Sequence, residues 1–172
     1  MPDSRSLKES AARLKKHAKK GRAWAQLNLC VLVLGGAKIS RSEIIHLYRE
    51  AAKRGHPMAV CALGRTFLVG FGCPVDLIQA QEHLERGIAL AKNCAYSMSV
   101  VKVCQEHLIK VARQYSDEKS FEKAKSILLP LAEEGMGNAR LEMGNAILED
   151  CEKGLSPRER QNDYSLALIW YS

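Results

Sequence analysis

One short motif, alanine-x-x-glycine-x-x-x-alanine, occurs at three separated places in this sequence. The copies begin at Ala18, Ala52 and Ala132, and a degenerate copy with alanine in place of the glycine ends at Ala95. The four turn positions, 21, 55, 91 and 135, are 34, 36 and 44 residues apart. A period of this length is typical of stacked helical hairpins, because each hairpin can bury its apolar face only against its neighbours.

A second series of small or apolar residues keeps the same phase. Ser10, Ile44, Ala80 and Ala124 each precede a turn position by eleven residues, and Ala167 begins a further copy. Glycine also recurs five residues after the last alanine of the motif, at positions 64 and 144. Because glycine inside an exposed helix destabilises it by about 1 kcal/mol, its recurrence predicts close approach of two helices.

Local signals place helix ends at the positions that the period requires. Capping patterns stand at Ser6-x-x-Glu9, Ser40-x-x-Glu43 and Asp76-x-x-Gln79. Pro57 suits a first helical turn, and the glycines at 21, 55 and 135 suit helix C-termini. No alternating run of β-branched residues predicts a strand, so we expect an all-α fold.

The period divides the chain into helix pairs over residues 22–55, 56–91, 92–135 and 136–172, preceded by a basic N-terminal helix over 5–20. We expect one repeat domain over 1–172, either complete or part of a longer array. The third pair departs from the motif, and Pro130 should kink or break the helix expected over 119–133. The fourth pair carries a polar insertion over 151–163, which predicts a surface loop.

Composition favours a globular protein without a membrane span. The sequence is 47% apolar and 26% charged, and its longest apolar stretch, 27–34, is far shorter than a bilayer requires. The first residues lack the apolar core of a secretory signal, which favours the cytoplasm, with the nucleus as an alternative. The six cysteines form no Cys-x-x-Cys pair, so we expect free, mostly buried thiols and neither a metal nor a cofactor.

Residues 59–84 resemble a known repeat. They read A-x-x-x-L-G-x-x-F-x-x-G-x-G-x-x-x-D from Ala59 to Asp76, followed by Ala80 and Leu84. Together with residues 44–55, this pattern resembles the Sel-one-like repeat family, which is related to the tetratricopeptide repeats. The resemblance implies a right-handed α-solenoid of stacked antiparallel helix pairs, a role as an adaptor that binds a protein or peptide, and no shared catalytic residues.

Helical spacing suggests which residues would contact a partner. In the second pair, Met58, Cys61, Arg65 and Leu68 recur at i, i+3, i+7 and i+10 on the face that looks into the concave groove of tetratricopeptide-like stacks. Trp24 is the predicted anchor, because buried aromatic residues dominate binding energies. The alternative is that this face packs against a neighbouring helix. The predicted partner-binding residues across the four pairs are Trp24, Leu27, Val31, Met58, Arg65, Leu68, Ser97, Val101, Gln105, Asn138, Leu141 and Asn145.

Two other functions compete with this interpretation. The first helix is strongly basic and could bind nucleic acid or an acidic partner, although the sequence has no recognised nucleic-acid motif. Some relatives of the family are credited with β-lactamase-like hydrolysis, and Ser120-x-x-Lys123 matches such a nucleophile motif by letters. We expect Ser120 to be a helix cap and the protein not to be an enzyme.

The C-terminal residues raise a separate expectation. Leu168, Ile169, Trp170 and Tyr171 are apolar residues midway through the second helix expected for the fourth pair. Since repeat arrays need a polar capping face, we expect a second copy of the chain, as a homodimer, or further chain to cover this end.

Overall fold

The computed structural model describes residues 4–20, 22, 24–25, 28, 40–93, 97–151 and 165–171. These residues are helical or lie in turns and connections between helices, and none of them forms a strand. Residues 24, 25 and 28 and the segment 165–171 are also helical. The named helices are α1 (Ser4–Lys19), α2 (Arg41–Lys53), α3 (Pro57–Val69), α4 (Leu77–Lys92), α5 (Ser97–Asp117), α6 (Phe121–Glu133) and α7 (Gly137–Cys151). The predicted all-α class is confirmed.

Two of the three predicted capping patterns begin helices. The Ser40 hydroxyl accepts a hydrogen bond from the Glu43 amide at 3.2 Å, and the Asp76 carboxylate accepts one from the Gln79 amide at 2.9 Å. Each cap satisfies an amide that has no partner within its own helix. The third prediction is wrong, because α1 already begins at Ser4 and therefore includes position 6.

The repeated motif occupies the joint between consecutive helices. Its alanines are buried, none of them more than 6% exposed, at positions 18, 25, 52, 59, 132 and 139. Gly55 and Gly135 have φ of 74° and 87°, in the left-handed region, and a Cβ at either position would meet no neighbouring atom within 4 Å. The motif therefore combines small residues for close packing with a glycine selected for its backbone conformation.

The chain separates into two compact units, residues 1–104 and 105–172, with the boundary inside α5. In the first unit α2 packs on α3, and α3 packs on α4. Its main core consists of Ile44, Ile45, Tyr48, Ala51, Ala52, Ala59, Val60 and Leu63. In the second unit α6 packs on α7. The predicted division into four helix pairs within one domain stays a prediction.

The additional residues of the irregular third pair lengthen one of its helices. Helix α5 has 21 residues, whereas α3, at the equivalent place in the preceding pair, has 13. The longer step of 44 residues thus corresponds to extra helical turns. Of the predicted kink or break at Pro130, the break is wrong, since α6 continues through it to Glu133. Pro130 is exposed, and its carbonyl accepts from the Glu134 amide at 3.1 Å. The insertion expected over 151–163 lies, apart from its first residue, outside the described residues.

Candidate functional site

Helix α3 exposes one narrow stripe of side chains. It packs against α2 and α4, and four of its residues that reach solvent follow one another at a spacing of i, i+4, i+7 and i+11. Met58 and Ala62 are half-buried, Arg65 is exposed and Val69 is 61% exposed. We call these four residues the α3 stripe. Pro57 and Phe67 are half-buried as well. Two residues of the stripe, Met58 and Arg65, belong to the predicted partner-binding set.

The predicted spacing is wrong by one position at two places. Leu68 is only 2% exposed, and so is Cys61, which shared its predicted face. Both side chains pack in the core of the first unit and are unavailable to a partner. Cys61 and Cys104 are free thiols, and a hydrogen bond between them lowers the pKa of Cys61 and raises that of Cys104. The prediction of buried, unpaired cysteines is confirmed for these two.

Helix α7 exposes the corresponding positions of the fourth pair with different chemistry. Since Ala59 and Ala139 are equivalent in the motif, Asn138, Glu142, Asn145 and Glu149 correspond to the α3 stripe, and we call them the α7 stripe. Its residues are exposed or half-buried. The Glu142 carboxylate pairs with Arg113, and the Asn145 side-chain oxygen accepts from the Tyr171 hydroxyl at 2.8 Å. Two of the four polar side chains are thus bonded within the second unit.

The remaining predicted residues have varied surroundings. Leu141 is 49% exposed but lies beside the α7 stripe and not on it. Val101 is half-buried on α5. Gln105 donates a hydrogen bond from Nε2 to a Glu134 carboxylate oxygen at 2.6 Å. Leu27, Val31 and the side chain of Ser97 lie outside the described residues.

Trp24 occupies the same position in the first pair as Met58 in the second. It is 47% exposed, and its ring centroid lies 5.4 Å from that of His17 on α1. Asn28, four residues later, is also exposed, which matches the i+4 spacing of the α3 stripe. An exposed indole supported by a neighbouring ring offers a partner a large contact area at little cost in side-chain freedom.

The glycine that recurs in the second and fourth repeats lies directly against one large side chain of a neighbouring helix, which makes it a socket for that side chain. A Cβ at Gly64 would lie 2.7 Å from the Cγ of Leu84, and a Cβ at Gly144 would lie 2.6 Å from a ring carbon of Tyr171. Leu84 follows Ala80 by four residues, and Tyr171 follows Ala167 by the same number. The segment 165–171 therefore repeats the packing of α4, and it holds Tyr171 where the hydroxyl reaches the α7 stripe.

The alternatives raised by the sequence also have structural counterparts. Arg13, Lys16, Lys20 and Arg22 are exposed at the basic N-terminal end. Ser120 is the N-cap residue of α6, and the Lys123 ammonium lies over the Tyr115 ring, 5.4 Å from its centroid. The described residues contain no group of three or more histidine, cysteine, aspartate or glutamate side chains that could hold a metal ion.

Apolar side chains are exposed near the end of the chain, as the sequence indicates. Leu168 is 67% exposed and Ile169 is 65% exposed. Whether a second copy or further chain covers them stays a prediction. Among the described helices, none combines the length and the hydrophobicity that a bilayer span requires.

Comparison with solved structures identifies the fold. The chain is similar to the crystal structure of a Sel1 repeat protein from Oxalobacter formigenes, with a TM-score of 0.58 and 19% sequence identity. The chain has the Sel1-like repeat fold. This likeness covers 92% of the present chain but 63% of the chain from Oxalobacter formigenes. No protein-family model matches the sequence, and no curated protein matches it. The predicted resemblance and the predicted α-solenoid are confirmed at the level of the fold.

The exposed stripe could have been located from the repeats themselves. Across the equivalent helices, Ala62 corresponds to Glu142 and Val69 to Glu149, whereas Leu68 corresponds to another leucine, at position 148. Positions that change between apolar and acidic residues are exposed, because a carboxylate is rarely buried without a partner. Sequence spacing on a single helix does not contain this information.

Proposed function

We propose that this protein is a protein-interaction scaffold, which binds a partner protein or peptide through the exposed stripes of its repeats. The observation that carries the proposal is the matching exposure of Trp24, the α3 stripe and the α7 stripe at equivalent repeat positions. Helical repeat folds present such surfaces because each repeat is stabilised by its neighbours, which leaves one face free for recognition. The Sel1-like repeat fold supports this class of function, and the proposal includes no catalytic step.

Site-specific photo-cross-linking tests the proposal. A photoreactive phenylalanine analogue is placed at Arg65 or Val69 on the α3 stripe, and at Glu85 on α4 as a matched exposed control. The scaffold proposal predicts a discrete adduct with the same protein from both stripe positions and no such adduct from the control. Adducts of equal yield at all three positions would show non-specific contact and would refute binding through the stripe.

A second candidate function is nucleic-acid binding at the basic end of the first unit. Residues 1–104 contain 17 lysines and arginines against 7 aspartates and glutamates, a net charge of +10. Cationic side chains that contact phosphates give a binding constant that falls steeply with salt. A gel-shift titration of the protein with an oligonucleotide at increasing salt tests this function, and absence of binding at low salt removes it.

We also propose a reducing compartment, the cytoplasm or the nucleus, as the site of action. Cys61, Cys73 and Cys104 are free thiols. Thiols persist where glutathione and thioredoxin keep them reduced. Imaging of the tagged protein in its native cells tests the location, and accumulation outside the cell would contradict it.

A further inference from the structure

We infer that the α3 stripe binds an acidic peptide segment that carries a bulky apolar side chain. This inference rests on the proposed scaffold function and specifies the chemistry of the partner. It depends on three observations within residues 1–104: the charge of this unit, the state of Arg65 and the apolar side chains at the end of α3.

The charge of the first unit favours an acidic partner. The net charge of +10 over residues 1–104 contrasts with −3 over residues 105–172, where 9 basic residues meet 12 acidic ones. Four cationic residues, Arg13, Lys16, Lys20 and Arg22, are exposed just before Trp24. A positive surface raises the rate of encounter with acidic segments and disfavours basic ones.

Arg65 is the charge at the centre of the α3 stripe. Its side chain is exposed, and it forms no ion pair with any of the described residues. The corresponding residue on α7 is Asn145, which is already bonded to Tyr171. Glu142, also on the α7 stripe, is bonded to Arg113. Two polar groups of the α7 stripe are thus bonded within the second unit, whereas the α3 stripe leaves a guanidinium available for a carboxylate, its preferred bidentate partner.

The end of α3 supplies the apolar contact. Val69 is 61% exposed, and Val75 is 55% exposed and lies so close to Gly70 that a Cβ there would be 3.0 Å from its Cγ2. Ile78, three residues later, is 58% exposed. The repeat does not require apolar residues here, because Val69 corresponds to Glu149, and Ile78 corresponds to Ser42, Glu122 and Ser165. These side chains are therefore additional to the packing of the fold, and Val69 lies on the α3 stripe one helical turn after Arg65.

A peptide-binding titration tests the inference. The acidic probe is a fluorescein-labelled peptide in which aspartate and glutamate flank a leucine and a phenylalanine. The basic probe has lysine in place of each acidic residue, and the polar probe has serine in place of the two apolar residues. Binding to the intact protein is followed by fluorescence anisotropy at low and at physiological salt.

Three variants, with a fourth in reserve, locate the bound probe. Arg65→Glu and Val69→Glu alter the α3 stripe, while Arg86→Glu makes the same charge change as the first variant at an exposed position on α4. Arg65→Gln removes the charge without reversing it and serves if Arg65→Glu alters the circular dichroism spectrum. We expect the acidic probe to bind best and each stripe variant to weaken it at least about tenfold. The Arg86→Glu control should change its affinity by no more than about twofold, since an exposed charge away from the site acts only at long range.

Several results would contradict the inference. Equal affinity for the acidic and the basic probe, or equal losses from Arg65→Glu and Arg86→Glu, would overturn the inference. A single-stranded oligonucleotide could instead displace the acidic probe, with a binding affinity that Arg65→Glu weakens. That result would assign the stripe to nucleic acid and would also overturn the inference. If cross-links from the α3 stripe to a partner persist while the acidic probe does not bind, the scaffold proposal stands and only the partner chemistry is wrong.

Discussion

The socket at Gly64 allows a quantitative test of the packing, through the substitution Gly64→Ala. The added Cβ would lie 2.7 Å from the Cγ of Leu84 and 3.0 Å from the carbonyl oxygen of Ala80. Non-bonded carbon atoms have their optimal separation at about 3.5–4.0 Å, so α3 and α4 would have to separate. Leu84 is fully buried and cannot turn into solvent.

Two effects of opposite sign decide the change in stability. Overpacking a well-filled core destabilises by about 1–3 kcal/mol. Replacing a glycine by alanine inside a helix stabilises by about 1 kcal/mol. Because one of the atoms in the way belongs to the backbone of α4, we expect strain at the upper end of its range and a net loss of about 1–2 kcal/mol.

Urea denaturation followed by circular dichroism measures this change in the free energy of unfolding. Gly137→Ala is the matched control, because a Cβ at that helical position meets no atom within 4 Å. The double variant Gly64→Ala/Leu84→Ala identifies the cause: in the Leu84→Ala background the side-chain obstacle is removed while the Ala80 carbonyl remains, so the loss caused by Gly64→Ala should be clearly smaller. A Gly64→Ala protein as stable as the Gly137→Ala control, or a loss unchanged in the Leu84→Ala background, would refute the socket.

Three further predictions follow from the same structure. Gly144→Ala should cost less than Gly64→Ala, under about 1 kcal/mol, because Tyr171 is 41% exposed and can swing away with the loss of one hydrogen bond; urea denaturation compares the two. Asp76→Ala should lower the free energy of unfolding by about 1 kcal/mol by removing the acceptor of the Gln79 amide, which the same measurement detects. Burial, and secondarily the nearby positive charge of the Arg86 side chain, lowers the pKa of His83 below its ordinary value of 6.5. The unfolded chain therefore binds a proton first, stability falls as the pH drops below about 6.5, and unfolding curves of His83→Gln should show a weaker dependence there.

The helices and the joints between them could be predicted because each residue of the repeated motif has the same structural role wherever the motif occurs. The motif alanines must be small where two helices meet, and Gly55 and Gly135 must adopt the left-handed conformation. The repeat period in the sequence identifies the positions at which such residues are required. The break expected from the residue type of Pro130 is absent, since the helix continues through this proline although it lacks the amide that would donate to the preceding turn.

The stripe was harder to predict because α3 is covered from two sides. A helix with one buried face obeys a simple amphipathic pattern, and the i+3 position chosen for Cys61 would then be exposed. Gly87 on α4 and Cys104 on α5 lie against Cys61 and bury that position. The difference between Leu68 and Val69 is therefore set by tertiary packing, which the residue types of one helix do not encode.

Packing positions and exposed positions are different residues within these repeats. One fold can therefore present an apolar and cationic stripe on α3 and a polar and acidic stripe on α7. The sockets at Gly64 and Gly144 hold Leu84 and Tyr171 in equivalent places, so the packing is preserved although the inserted side chain changes. The stripes, in contrast, differ at every position: Met58 and Asn138, Ala62 and Glu142, Arg65 and Asn145, Val69 and Glu149. Because exposed positions contribute little to stability, they are free to be selected for contact with a partner. The chemistry of the stripe can therefore differ between repeats, as the proposed recognition of a partner by the α3 stripe requires.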